Sequence, residues 1–204
     1  MQALEAADLA LLRFINQSLA NPFFDWLMPV ASGTALLWPA ILALAALALW
    51  RGGRKGRVFL VVFALAGATG DPLLCNNLKK ALQRPRPFVE HADIVTRVGR
   101  GGSYAMPSGH SFNWGVIVAV SGLFYRRALW ASVPLGFLVG FSRLYNGVHY
   151  PADVLAGWAL GALYATALVL ALDRWVWPPF ARRWWPVAFA ELPSFRAAPR
   201  AAAA

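Results

Sequence analysis

The sequence predicts an all-α membrane protein, a polytopic bundle of about five transmembrane helices preceded by an N-terminal interfacial amphipathic helix. Three observations predict it. The 204 residues are 59% hydrophobic and only 14% charged, with a mean hydropathy of +0.51, beyond what a water-facing surface tolerates. Ten Trp and five Tyr fall mostly near the ends of apolar runs, where amphipathic rings favour the membrane–water interface. The cations follow the same runs: Arg51, Arg54, Lys55 and Arg57 form one cluster, Arg126 and Arg127 a second, Arg174, Arg182 and Arg183 a third. Each closes an apolar stretch, the pattern of cytoplasmic loops. A net charge of +10 would raise nucleic acid as a partner for a soluble chain. Cations placed in this way point to a membrane instead, and no nucleic acid is expected.

In chain order, residues 1–22 interleave Leu4, Leu9, Leu11, Leu12, Phe14, Ile15 and Leu19 with Glu5, Asp8, Arg13, Asn16 and Gln17, a mixture too polar to span and suited to an interfacial helix. With Glu5 and Asp8 ahead of any apolar core and no basic start, a removable signal peptide is not expected. Runs long enough to cross, about 17–25 residues each, are read at Trp26–Trp50, Val58–Leu78, Ser111–Tyr125, Leu129–Leu144 and Val154–Leu172. The third and fourth are short and borrow neighbouring polar residues to reach the interface. A single membrane domain over residues 1–175 leaves no room for a soluble one, and residues 176–204, rich in Trp, Pro and Arg before the final alanines, read as a cytoplasmic interfacial and disordered tail. The one cysteine, Cys75, gives neither a disulfide framework nor a Cys-based metal site.

Placing the basic clusters in the cytoplasm puts the N-terminus, the loop from Lys79 to Gly109 and the turn at residues 146–151 on the opposite face. That loop carries Lys79, Lys80, Arg84, Arg86, Arg97 and Arg100, against the positive-inside bias. An anionic ligand is the expected reason.

Three segments on that face carry chemistry. In Lys79-x6-Arg86-Pro87, the rings of Pro85 and Pro87 stiffen the chain that presents two cations; taken alone it is also an ordinary snorkelling cluster. In Pro107-Ser108-Gly109-His110, Ser108 is a natural N-cap, and the free N–H groups of Gly109 and His110 at a helix start form a cradle for an anion. A plain cap beside an interfacial His fits that tetrapeptide equally. In Arg143-x5-His149-x3-Asp153, Pro151 suits the first helical turn, so His149 precedes the helix and Asp153 lies one turn in. A neutral His149 can attack phosphorus through one ring nitrogen while Asp153 accepts a hydrogen bond from the other, and Arg143 offers a two-ended fork for phosphate oxygens. A structural Arg–Asp pair with a bystander His is the alternative, disfavoured by the cost of charges beside hydrocarbon.

Together, Lys79…Arg86-Pro87, Pro107-Ser108-Gly109-His110 and Ser142-Arg143…His149…Asp153 resemble the signature of the type 2 phosphatidic acid phosphatase superfamily, which includes lipid phosphate phosphatases and vanadium haloperoxidases. No motif position departs from that pattern. The resemblance implies a metal-independent hydrolysis without cofactor in two steps: His149 attacks to give a phosphohistidine, and His110 protonates the leaving oxygen and then activates water. Lys79, Arg86, Ser108, Gly109 and Arg143 would bind the phosphate oxygens.

The expected substrate is a membrane lipid phosphate or diphosphate such as undecaprenyl diphosphate, phosphatidylglycerophosphate or phosphatidic acid, met at the outer face of a bacterial inner membrane. A lipid A phosphatase and a non-catalytic lipid-phosphate binding or transport protein are the alternatives. Three further residues lie outside the pattern. Asp71, followed by Pro72, is expected to hydrogen-bond Asn76 or Asn77 across a kink; His91 reads as a polar loop residue, and Cys75 as an apolar one. Both His110 and His149 are expected at a wet interface, packing little core.

Overall fold

The computed structural model describes residues 2–33 and 37–176, and among them every regular element is helical. In order they are α1 (Gln2–Arg13), α2 (Pro22–Ser32), α3 (Leu37–Arg51), α4 (Gly53–Gly70), α5 (Asn76–Leu82), α6 (Pro87–Glu90), α7 (Gly109–Phe124), α8 (Leu129–Tyr145) and α9 (Pro151–Ala171). Wider π-type turns extend α1 at Phe14–Ser18, join α4 to α5 at Asp71–Cys75 and extend α9 at Leu172–Val176. Three stretches among the described residues, Lys55–Glu90, Arg126–Tyr145 and Pro151–Trp175, are long and apolar enough to cross a membrane. The chain is a membrane protein. The expected tail, with Arg182 and Arg183, falls beyond the described residues apart from Val176.

The single span expected over Trp26–Trp50 is instead two helices. Asn21 starts α2 by accepting the Phe24 N–H at 2.9 Å, with Pro22 in the first turn. Helix α2 then stops at Gly33, whose extended backbone (φ −79°, ψ 160°) cannot continue it. At the α3–α4 end, Lys55 Nζ lies 4.7 Å over the Tyr125 ring, which brings the first basic cluster beside the second at Arg126 and Arg127.

One core lies between α4, α7 and α9 and is built from Val58, Val62, Ala66, Phe112, Val116, Val120, Ala165 and Val169. Glycines let α7 and α9 approach to backbone contact: a Cβ on Gly161 would stand 2.0 Å from Phe112 O, and one on Gly157 2.5 Å from Ser108 O. Small residues at a membrane helix interface serve this close packing. The consequence is local, since the start of α7 is locked against the first turns of α9.

A second core gathers Leu12, Ile15, Met28, Leu144, Tyr145, Tyr150 and Val154 and binds α1 and α2 to α8 and α9. The N-terminal helix is therefore packed on one side, although Leu4, Leu11 and Phe14 stay exposed. Its following turn is fastened by buried Asn16, whose amide donates to Val95 O and Tyr145 O at 2.8 Å each and whose oxygen accepts the Val95 N–H at 2.9 Å.

At Asp71–Pro72 the expected side-chain bond is not made. Asn77 donates to Leu73 O at 2.7 Å, four residues back in the π-type turn, and Asp71 Oδ1 is buried with no partner among the described residues. Asn76 and Asn77 follow Asp71 by five and six residues, whereas side chains that meet on a helix stand three or four apart.

Candidate active site

The α8–α9 turn places the first group. Gly147 takes a positive φ of 70°, which a glycine adopts without strain, and a Cβ there would meet Val95 O at 2.5 Å. His149 follows, and Pro151 opens α9. Asp153 Oδ2 accepts the Tyr150 N–H at 2.8 Å and stands 3.5 Å from His149 Nδ1, which has no closer partner. The Nε2 of His149 is left free of that pairing.

Three segments close on this turn. Ser108 caps α7 through its hydroxyl, 3.4 Å from the Ser111 N–H, and its own N–H donates to Asp153 O at 2.9 Å, so the helix start and the Asp153 backbone are tied directly. The first-turn N–H groups at Gly109 and His110 have no acceptor within their helix. A Cβ on Gly109 would lie 3.7 Å from Lys79 Nζ, so a bare backbone faces that ammonium. The charges of Arg143, Lys79 and Arg86 all act on half-buried His110.

Each guanidinium is aimed by the protein with donors to spare. Arg86 donates through Nε to Ser103 O at 2.7 Å, through Nη2 to Ser103 Oγ at 2.9 Å and through Nη1 to Val148 O at 3.3 Å, leaving two of its five N–H groups. Arg143 bonds the Ser32 hydroxyl through Nη1, and its buried Nε has no partner among the described residues. Lys79, Arg86 and Arg143 are 7–8% exposed, yet among the described residues none reaches a carboxylate within ion-pair distance.

Asp153 has a different partner. Arg84 Nη1 donates to Asp153 Oδ1 at 2.7 Å and Nη2 to Asp8 Oδ2 at 2.7 Å, with its guanidinium 4.0 Å over the Tyr150 ring. Asp8 Oδ1 in turn accepts the Ala152 N–H at 2.8 Å. The structural Arg–Asp pair weighed from the sequence thus exists, made by Arg84 and not by Arg143.

Residues 55–177 match the family model described as PAP2 superfamily. The chain belongs to that superfamily. It is 31% identical over 169 residues to the lipid A 4′-phosphatase of Bacteroides thetaiotaomicron, covering 79% of this chain and 75% of that one. With the lipid A 1-phosphatase of Rhizobium etli it shares 34% identity over 129 residues, 56% of this chain, and spans about half (54%) of that protein's length. The crystal structure of a transmembrane PAP2-type phosphatidylglycerolphosphate phosphatase from Bacillus subtilis aligns with a TM-score of 0.64 at 28% identity, over 85% of this chain and 87% of that one.

In this PAP2 chain the sequence-predicted residues fall in one region, but not at an open interface. His149 is 1% exposed and Ser108 and Asp153 are sealed, and Ile94, Val95 and Asn16 crowd the neighbouring Gly147 of the α8–α9 turn. The expectation that His149 packs little core is therefore corrected; His110 remains half-buried. Burial, then the Arg143 and Arg86 charges, push the His149 imidazole toward its neutral form, against the pull of Asp153.

Four site residues escaped the motifs: Asp8, Arg84, Ser32 and Ser103. Arg84 stood inside the x6 spacer as one cation of six. A signal for Asp8 existed, an acid one turn before buried Leu12 and so on the helix face that packs. His91, read as a loop residue, meets Tyr150 edge-on with ring centroids 6.2 Å apart.

Proposed function

We propose that this chain is a metal-independent membrane lipid phosphatase that hydrolyses a phosphate monoester or diphosphate on a lipid head group through a phosphohistidine. The observation that carries this reading is the trio of buried cations, Lys79, Arg86 and Arg143, none with a carboxylate within ion-pair distance among the described residues. Buried charge of one sign is costly unless an anion completes it. The charges of Arg143 and Arg86 act on His149, and with Lys79 they act on His110, so the missing anion and the nucleophile belong to one place.

In the proposed reaction His149 Nε2 attacks phosphorus as the lipid oxygen departs, and Asp153 Oδ2 steadies the charge that grows on the ring through Nδ1. His110 gives its proton to the leaving oxygen and then takes one from water, which attacks the phosphohistidine and frees His149. The forks of Arg86 and Arg143, the Lys79 ammonium and the N–H groups at the start of α7, with Ser108 and Gly109, hold the three phosphate oxygens whose charge builds in the transition state.

The lipid arrives laterally with its chains in the bilayer, from the non-cytoplasmic leaflet of a bacterial inner membrane. Support for that side comes from the basic clusters, two of which meet at Lys55 and Tyr125 on the α3–α4 and α7–α8 turns, away from the motif residues. Five crossings, with α2 and α3 sharing the first, and a single domain over residues 1–175 complete the proposal. The similar proteins bear lipid A and phosphatidylglycerolphosphate names; undecaprenyl diphosphate, phosphatidylglycerophosphate, phosphatidic acid and lipid A form the test panel. Purified protein in detergent is assayed for phosphate release from each, with His149→Ala as blank. Release from none of them overturns the proposal.

A further inference from the structure

Asp153 is held from behind by a charge chain that begins outside the motif region. Asp8 of α1 pairs with Arg84, and Arg84 pairs with Asp153, whose other oxygen faces His149 Nδ1 at 3.5 Å. The signs alternate along the chain. Arg84 is clamped on three sides, by Asp8, by Asp153 and by the Tyr150 ring, and Asp8 is nearly buried, with its side chain 9% exposed.

We propose that Asp8 and Arg84 are positioning residues for the His149–Asp153 pair. Arg84 fixes Asp153 Oδ1, so that Oδ2 is presented to the ring, while the Asp8 carboxylate cancels the Arg84 cation. Without that cancellation Arg84 draws charge from Asp153 and weakens the support it gives His149. The N-terminal helix thereby becomes part of the catalytic apparatus, through charge and not through contact with substrate. This rests on the phosphatase reading given above.

The decisive variant is Asp8→Asn. Its amide oxygen still accepts the Ala152 N–H, so the contact survives and only the charge is removed. In detergent, kcat should fall about tenfold, the effect of losing one charge-assisted partner, with KM changed less than about twofold. Asp8→Glu should restore the rate. The double variant Asp8→Asn/Arg84→Gln should be no slower than Arg84→Gln alone, since Asp8 acts only through Arg84.

A second readout is independent of turnover. The chain has three histidines, so the His149 ring can be titrated by NMR of protein labelled at His. The charges acting on it directly are Asp153, Arg143 and Arg86. Its midpoint should move down in Asp8→Asn and return in the double variant. Unchanged kcat and midpoint, or additive losses in the double variant, overturn the inference while the phosphatase reading stands. A wild-type chain inactive on every lipid phosphate removes that reading, and the titration then decides alone. Should Asp8→Asn not fold, Arg84→Lys, which keeps the cation but not the fork, carries the same measurements.

Discussion

Adding one methyl group at Gly161 should cripple the site from a distance. The Cβ of Gly161→Ala would stand 2.0 Å from Phe112 O, whereas a carbon resting on a carbonyl oxygen keeps about 3.3 Å. The α7–α9 interface must therefore open by about 1.3 Å at that level. Backbone is the obstacle on both sides, so no side-chain rotation relieves it. At Gly157 the same methyl meets Ser108 O at 2.5 Å, a deficit of about 0.8 Å, directly at the start of α7. Ser108, Gly109 and His110 sit at the start of α7 while Asp153 rides on α9, so either opening moves the proposed phosphate cradle off the proposed nucleophile. A displacement of about 1 Å costs on the order of 10²-fold in rate, and overpacking costs about 1–3 kcal/mol of stability. Gly67→Ala on α4 is the control. Nothing lies within 4 Å of its Cβ, and Ala favours the helix by about 1 kcal/mol. Phosphate release and thermal unfolding are measured in one micelle for all three variants. Full activity and unchanged melting in Gly161→Ala would refute the close-packing argument, and equal losses in Gly67→Ala would show that the effect is not one of contact.

Three further outcomes follow from the same geometry. Asp153→Asn should lower turnover at least tenfold with little change in KM, because the amide no longer stabilises the charged ring; steady-state kinetics on the best panel lipid checks it. Stability should fall as pH drops through the window below about 6.5, where an unfolded His149 binds a proton that the buried ring resists. The slope is positive because the unfolded state holds more protons, and His149→Gln should reduce the slope of a melting-temperature series taken across that window, leaving the part due to His110, which burial also pushes down. A single cysteine at Gly102, in a Cys75→Ala background, should react with an impermeant maleimide in intact spheroplasts, whereas Arg57→Cys should react only after lysis; the reverse pattern would move the site to the cytoplasmic leaflet.

The sequence by itself determined the solvent and the chemistry. Apolar runs closed by arginines dictate a membrane bundle whatever its packing, and the three motifs that hold Lys79, Arg86, Ser108, Gly109, His110, Arg143, His149 and Asp153 resemble the superfamily signature, which is how the proposed phosphate-handling set was legible. Tertiary structure decided what local spacing cannot express. The break at Gly33 was hidden because the apolar runs on either side of Ser32-Gly33-Thr34 add up to the length of one span. The turn that carries His149 is covered at Gly147 by Asn16 and Val95, which approach from 131 and 52 residues away along the chain. The alliance of Asp8 with Arg84 joins residues 76 apart, and only a fold that carries α1 onto α9 brings them within reach of the ion pair they make.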